Sequence, residues 1–257
     1  MKPYCVPEKT EKYTGYDMIR NHTEIPALPD ARLRLLHAFL EASDSADKTE
    51  VYGMVTGLLQ IGLDIHDRVA PGDDSEEEQA MRSRQLKVLA GDYYSSRFYQ
   101  LLAAAGEVDM VAELSRAIAD VNRRKMELYL RMQGTSAPEL REYVEEAAAI
   151  KARLFVGFDV SLSGPLLPDW QSLLKLVALC EAAVEELEAA THGEALHYGM
   201  HPVGEAEAAE LKQLLLGFAD RLEAGIAALP AQVNREVLGA LADGFRGAAE
   251  TKGKVNR

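Results

Sequence analysis

The chain has 257 residues, of which 47% are hydrophobic, so it is long enough to bury one substantial core or two small ones. Its 41 acidic and 28 basic residues give a net charge of −13, which argues against nucleic-acid binding because a phosphate-backbone binder needs a surplus of lysine and arginine. Two cysteines cannot form a disulfide framework, and neither a secretion signal nor a membrane-spanning apolar run is visible, so we expect a soluble, reduced, cytoplasmic protein.

Residues 1–30 contain four prolines and scattered tyrosines without a sustained hydrophobic period. We predict that they form an irregular, partly mobile lead-in. No linker rich in proline, glycine and serine divides the rest of the chain. We therefore predict a single helical domain over residues 31–250, followed by a C-terminal tail over residues 251–257.

Apolar residues then recur with a period near 3.6, which is typical of amphipathic helices. The pattern predicts a short helix through Leu33 and Leu40, then helices over 51–69 and 82–105. Further helices are predicted over 110–128, 138–154, 169–187, 211–226 and 237–245. Because alternating β-branched runs are missing, we predict an all-α fold of roughly eight to nine helices.

One of these helices carries the acidic residues of the segment "LLQIGLDIHDRV". Asp64 and Asp67 are three positions apart, which on a helix places their Cβ atoms about 5–6 Å from each other on one side. Gln60 lies one turn earlier on that side. Such paired carboxylates suit Mg²⁺ when the ion also holds a substrate's phosphate oxygens, although two acids at this spacing are more often solvated surface.

The segments "IHDRV" and "VLAGDYYSSRFYQLLA" resemble the trans-prenyl diphosphate synthases. Those all-α enzymes join isopentenyl diphosphate to an allylic diphosphate and carry two "DDxxD" motifs. The resemblance implies an isoprenoid-synthase-like helical bundle. Asp67 falls on the first aspartate of the first motif, whereas Arg68 replaces the second aspartate and Pro71 replaces the last. The later motif is absent, since the second half of the chain contains no two adjacent aspartates.

The exchange of Asp for Arg68 has a large electrostatic effect. Two unit charges about 4 Å apart interact by about 4 kcal/mol at an effective dielectric constant of about 20. A guanidinium in place of a ligand carboxylate turns that attraction to a divalent ion into repulsion. We therefore interpret the site as a degenerate first motif and expect no metal, cofactor or catalytic residue on this chain.

Three segments together, "LDIHDRV", "RQLKVLAGDYYS" and "VNRRKMELY", resemble the component 1, or small-subunit, family of bacterial heptaprenyl (or hexaprenyl) diphosphate synthases. The resemblance covers residues 31–131. It implies a heterodimer with a catalytic large subunit, component 2, which holds Mg²⁺ and makes the polyprenyl diphosphate of the menaquinone side chain. Helices 51–69 and 82–105 are expected to meet that partner, whereas Lys125 is expected on a solvated face.

The segment "DARLRLL" resembles the "GKRxRP" segment that holds isopentenyl diphosphate in active synthases. Arg32 and Arg34 match its arginines, while Ala31 and Leu35 replace its lysine and proline. Both arginines are therefore candidates for the diphosphate side or, more simply, for the protein surface. Asp92 in "LAGDYYSS" is either a group beside the diphosphate or the partner of an arginine on a neighbouring helix.

Four aromatic residues lie on the same predicted helix as Asp92: Tyr93, Tyr94, Phe98 and Tyr99. We expect them to pack in the core or in a subunit interface rather than to line the wall of a prenyl tunnel. The histidines at 192, 197 and 201 lie in a loop that we do not expect to bind metal.

Two alternatives remain at this point. The chain could act alone on an allylic diphosphate through an unconventional cluster formed by Asp64, Asp67, Asp73 and Asp74. It could also be a helical interaction protein outside isoprenoid metabolism, with a homodimer as its stable form.

Overall fold

The computed structural model of the chain describes residues 2–21, 23–69, 78–134, 137–162, 164–199 and 202–252. The predicted all-α fold is confirmed, because these residues form ten α-helices, one 3-10 helix and no strand. The helices are α1 Val6–Thr14, α2 Asp17–Arg20, α3 Asp30–Glu41, α4 Thr49–Asp67, α5 Glu78–Ala105, α6 Val108–Gln133, α7 Leu140–Val156, η1 Gly157–Ser161, α8 Leu167–His192, α9 Glu205–Ala228 and α10 Leu241–Lys252. Within the described segments no helix is both long and apolar enough to cross a membrane.

The N-terminal 30 residues are more ordered than the sequence predicted, since they contain α1 and α2. Pro7 lies in the first turn of α1, where the missing N–H of proline costs nothing and its fixed φ favours the helix. Val6 is buried against α4, so closely that a Cβ atom on Gly53 would lie 2.7 Å from the Val6 Cγ2 atom. The expectation of an irregular lead-in was therefore wrong for these two helices.

Helix α4 lies at the centre of the bundle. Fourteen of its 19 residues are buried, and it packs on α1, α3 and α5. At Gly62 the backbones of α4 and α5 approach closely, because an added Cβ atom would lie 2.9 Å from the Ser95 backbone nitrogen. The expectation that residues 51–69 face a partner subunit was wrong, since only the two ends of α4 reach the surface.

The principal core lies between α3, α4, α7, α8 and α9, around the fully buried Trp170, Phe39 and Phe155. The long helices α5 and α6 contribute much less to it. Only five of the 28 residues of α5 and five of the 26 residues of α6 are buried. These two helices therefore expose most of their length.

Candidate functional site

A cavity of about 310 Å³ lies at the carboxyl end of α4. Its walls come from residues 26–29, from α3, α4, α6, α7, α8 and α10, and from the connection between α8 and α9. Its charged lining consists of Arg32, Asp64, Asp67, Arg68, Lys125, Lys151, Glu181, Glu185 and Glu188. The structure thus brings the degenerate motif together with acidic and basic residues far away in the chain.

Asp67, the residue at the first position of the motif, forms an ion pair with Lys125 of α6. The Lys125 side chain is only 14% exposed and lines the cavity. The sequence-based expectation that Lys125 lies on a solvated face was therefore wrong. Lysine side chains placed next to a carboxylate inside a cavity supply the positive charge that the carboxylate needs there.

Asp64 lies one helical turn deeper than Asp67. Its Oδ1 atom accepts a hydrogen bond from Gln60 Nε2 at 2.7 Å. Burial raises the pKa of Asp64, and the Gln60 hydrogen bond and the nearby charges of Lys151, Arg32 and Lys125 counter only part of that increase. The Asp64 carboxyl group is thus oriented by an amide and has lost much of its access to water.

Arg32 of α3 is buried, contrary to the expectation of a surface residue. Its guanidinium donates to Glu181 Oε2 at 2.5 Å, to Gln60 Oε1 at 3.3 Å and to the backbone carbonyl of Lys151. It also lies over the Phe155 ring, 4.9 Å from the ring centroid. Arg32 is therefore the residue that joins α3, α4, α7 and α8 at the cavity.

Arg34 points the other way, as expected for a surface residue. Its Nε atom is 2.6 Å from Asp30 Oδ2, one turn earlier on α3, and its guanidinium lies 4.7 Å from the Tyr4 ring centroid. Of the two arginines of "DARLRLL", only Arg32 reaches the cavity.

Lys151 and Glu185 form a third ion pair, at 2.6 Å, that sequence reasoning missed. Burial favours the neutral form of Glu185, but the hydrogen bond from Lys151 and the charges of Lys151, His197 and Arg32 together outweigh this effect and lower its pKa. A signal for this wall was present in the sequence, because glutamates at 181, 185 and 188 share one side of a helix.

The neighbouring Glu186 faces the core. It accepts hydrogen bonds from the Tyr143 hydroxyl at 2.6 Å and from the His197 backbone nitrogen at 2.9 Å. Burial raises the pKa of Glu186 to about 7. This carboxyl group ties the connection after α8, which carries His197 and Tyr198 into the cavity wall, to α7.

The remaining polar candidates do not converge on one point. Arg68 lines the cavity and has its Nη1 atom 3.8 Å from Glu24 Oε1. Asp92 is exposed, and its partner is not the arginine that we expected but His66, with 3.4 Å between Asp92 Oδ1 and His66 Nε2. The reason is the close packing of α4 on α5, which places the His66 ring directly over Gly91. Asp92 is not among the cavity residues.

The aromatic residues of α5 divide between core and surface. Tyr94 and Phe98 are fully buried, whereas Tyr99 is 49% exposed. Tyr93 is half-buried and stacks on Tyr16, with 6.0 Å between ring centroids. None of the four lines the cavity, so the structure places them in packing and on the outer surface of α5.

The residues of the degenerate motif do not fit Mg²⁺. Asp67 is paired with an ammonium group, Asp64 with an amide, and Arg68 adds a guanidinium beside them. A hard cation needs several free carboxylate or carbonyl oxygens around one point. Among the described residues, no group of three or more His, Cys, Asp and Glu side chains could hold a metal ion.

Three residues of the earlier hypotheses, Asp73, Asp74 and His201, lie outside the described residues. Of the other two loop histidines, His192 has its Nδ1 atom 2.8 Å from the Glu188 carbonyl of its own helix, while His197 lines the cavity.

Comparison with known proteins indicates the family of this chain. Residues 16–216 match the family model described as heptaprenyl diphosphate synthase (HEPPP synthase) subunit 1. Over 88 residues the chain is 41% identical to a protein of Geobacillus stearothermophilus named heptaprenyl diphosphate synthase component 1; this match spans 34% of the chain and only 38% of that relative. Because the family model covers well over half of the sequence, the chain belongs to the family of heptaprenyl diphosphate synthase subunit 1.

Proposed function

We propose that this chain is the non-catalytic small subunit of a heterodimeric long-chain polyprenyl diphosphate synthase. The product is a hepta- or hexaprenyl diphosphate for the menaquinone side chain, and the catalytic large subunit, component 2, binds the Mg²⁺. The observation that carries the proposal is the Lys125–Asp67 ion pair, in a chain whose family is named as subunit 1. The carboxylate that would begin the catalytic motif is already neutralised by the chain itself.

The surface proposed for the partner is the outer side of α5 and α6. Tyr99 Oη lies 3.3 Å from Ser115 Oγ, so the two helices run antiparallel from the short connection at residues 106–107. The exposed large apolar residues of the two helices are Met81, Val88, Leu89, Tyr99, Val108, Met126, Tyr129 and Leu130. We call six of them the α5–α6 face: Val88, Leu89, Tyr99, Met126, Tyr129 and Leu130.

Composition supports this surface as an interface. Leu89 and Leu130 are 62% and 61% exposed, and both helices bury few of their other residues. Exposed apolar residues that cluster on one side of a molecule mark interaction sites, and the centre of a stable interface is apolar with few charges. The large subunit, when docked there, would bury the apolar surface that this chain leaves exposed.

The small subunit would then act indirectly. It stabilises the active conformation of the large subunit and shapes the wall against which the growing isoprenoid chain presses. The test mixes the purified chain with component 2, an allylic diphosphate primer, isopentenyl diphosphate and Mg²⁺. We expect a stable complex and long polyprenyl product only when both chains are present. Product from this chain alone, abolished by Asp67→Ala, would instead support the stand-alone enzyme.

A pair of matched variants tests the surface. Leu89→Glu places a charge on the α5–α6 face, and Val160→Glu places the same charge on η1 at a residue of nearly equal exposure, 63%. Val160 lies on η1, whose Gly157 faces the fully buried Leu114 side chain on the inner side of α6, whereas the α5–α6 face lies on the exposed side.

We expect Leu89→Glu to weaken binding of component 2 by at least about tenfold, or 1.4 kcal/mol, and Val160→Glu to leave it unchanged. Equal effects would show that component 2 does not bind the α5–α6 face. If the chain forms a stable homodimer and binds no synthase subunit, the heterodimer proposal is wrong.

A further inference from the structure

Six of the nine charged side chains that line the cavity form ion pairs within this chain. Four cationic and five acidic side chains line it, and each of the three ion pairs joins different helices. Asp67 of α4 pairs with Lys125 of α6, Glu181 of α8 with Arg32 of α3, and Glu185 of α8 with Lys151 of α7. The positive charges of these three pairs therefore belong to side chains, which cannot dissociate from the cavity as a bound metal ion can.

Lys125 is the member of this set that faces the degenerate motif. It comes from a helix other than α4, and its side chain is largely shielded from water. A divalent cation that approached Asp67 would meet this ammonium group, which pairs directly with the Asp67 carboxylate. Like charges repel strongly where water is partly excluded, so the cation would have to displace Lys125 before it could bind.

The second carboxylate of the motif adds to the same effect. Asp64 is held by the Gln60 amide, and its burial favours the neutral form. One oxygen of each carboxylate of the motif, Asp64 Oδ1 and Asp67 Oδ2, is thus already engaged by a group of this chain.

We propose that Lys125 is a tethered counter-ion that occupies the electrostatic place of a divalent cation in this cavity and keeps Mg²⁺ out. The cavity of this chain is then assembled and neutralised without metal. This inference rests on the same Lys125–Asp67 ion pair as the proposed function, but its tests use the isolated chain and no partner, so its failure and that of the proposed heterodimer are separate results.

The first test uses the unaltered chain. A cation that binds the native state raises the unfolding temperature by mass action, whereas one that does not bind leaves it unchanged. We expect the same unfolding temperature in MgCl₂ and in NaCl of equal ionic strength. A higher unfolding temperature in MgCl₂ would overturn the proposal.

The second test removes the Lys125 charge that pairs with Asp67. Mn²⁺, which prefers the same oxygen ligands as Mg²⁺ and is visible by electron paramagnetic resonance, is titrated into the unaltered chain and into Lys125→Met. We expect the variant to bind Mn²⁺ at least about tenfold more tightly than the unaltered chain. Equal affinities would show that Lys125 does not exclude the cation.

The matched control is Lys9→Met. Lys9 also pairs with a carboxylate of α4, but with Glu50 at the opposite end of the helix. This variant should bind Mn²⁺ no better than the unaltered chain, and a gain equal to that of Lys125→Met would refute a local effect. If Lys125→Met does not fold, as judged by circular dichroism, Lys125→Gln keeps a hydrogen-bond donor without the charge and must show the same gain.

Discussion

Replacing Arg32 by methionine tests whether the cavity is held together by its internal charges. Methionine has a similar length and no charge, so the substitution leaves Glu181, the Gln60 carbonyl oxygen and the Lys151 carbonyl without their donor. Removal of one partner from a buried ion pair costs about 3–5 kcal/mol. Because the Glu181 side chain keeps 17% exposure, water replaces part of the loss, and we expect about 3 kcal/mol.

The assay is urea unfolding of the isolated chain, followed by circular dichroism, with the free energy of unfolding from linear extrapolation. Arg34→Met is the control on the same helix. Its ion pair with Asp30 is exposed and one turn apart, so its loss should cost less than about 1 kcal/mol.

The double variant Arg32→Met/Glu181→Met completes the argument. It removes both charges at once, and we expect it to recover much of the stability that Arg32→Met loses, because no unpaired carboxylate remains buried. If Arg32→Met and Arg34→Met destabilise the chain equally, the buried network around Arg32 does not contribute as described.

Burial of Glu186 predicts a specific dependence on pH. Because its pKa in the folded chain, about 7, lies above its ordinary value of 4.5, the folded state holds the proton more tightly, and the stability from this group is complete below about pH 4.5 and declines as the pH rises through about 7. Relative to Glu186→Gln, the unaltered chain should therefore lose up to about 3 kcal/mol between those pH values, and parallel stability curves would refute this. For the contact between α4 and α5, Gly62→Ala should cost about 1–3 kcal/mol, since the new methyl group meets the Ser95 backbone nitrogen at 2.9 Å, whereas Gly217→Ala on α9, with nothing within 4 Å, should be neutral or stabilising in the same unfolding assay.

The helices were accessible from the sequence because periodicity is a local property. The pattern through Leu33 and Leu40 predicted α3, and the run up to Gly106 predicted the end of α5. The degenerate motif was also readable, since Asp67 and Arg68 are adjacent in the chain.

The partners of the motif were not accessible in this way. Arg32 and Glu181 are 149 residues apart, and Lys125 and Asp67 are 58 apart, so their pairing depends on how the helices pack. Helical period shows which residues share a side but not whether a polar side meets solvent or another helix. Helical period places Arg32 and Arg34, two positions apart, on opposite sides of α3, but only the packing shows that the Arg32 side faces a cavity.

The glycine contact between α4 and α5 has a mechanical consequence. Side chains at a helix–helix contact can change rotamer and absorb small displacements, but at Gly62 the backbones of α4 and α5 approach without a side chain between them. Because no side chain separates the two backbones at Gly62, we expect a shift of α5 along its axis to displace the carboxyl end of α4 as well. Of the two contacts, the one at Gly62 meets backbone and is the stiffer, whereas the one at Gly91 meets the His66 ring, which can still rotate.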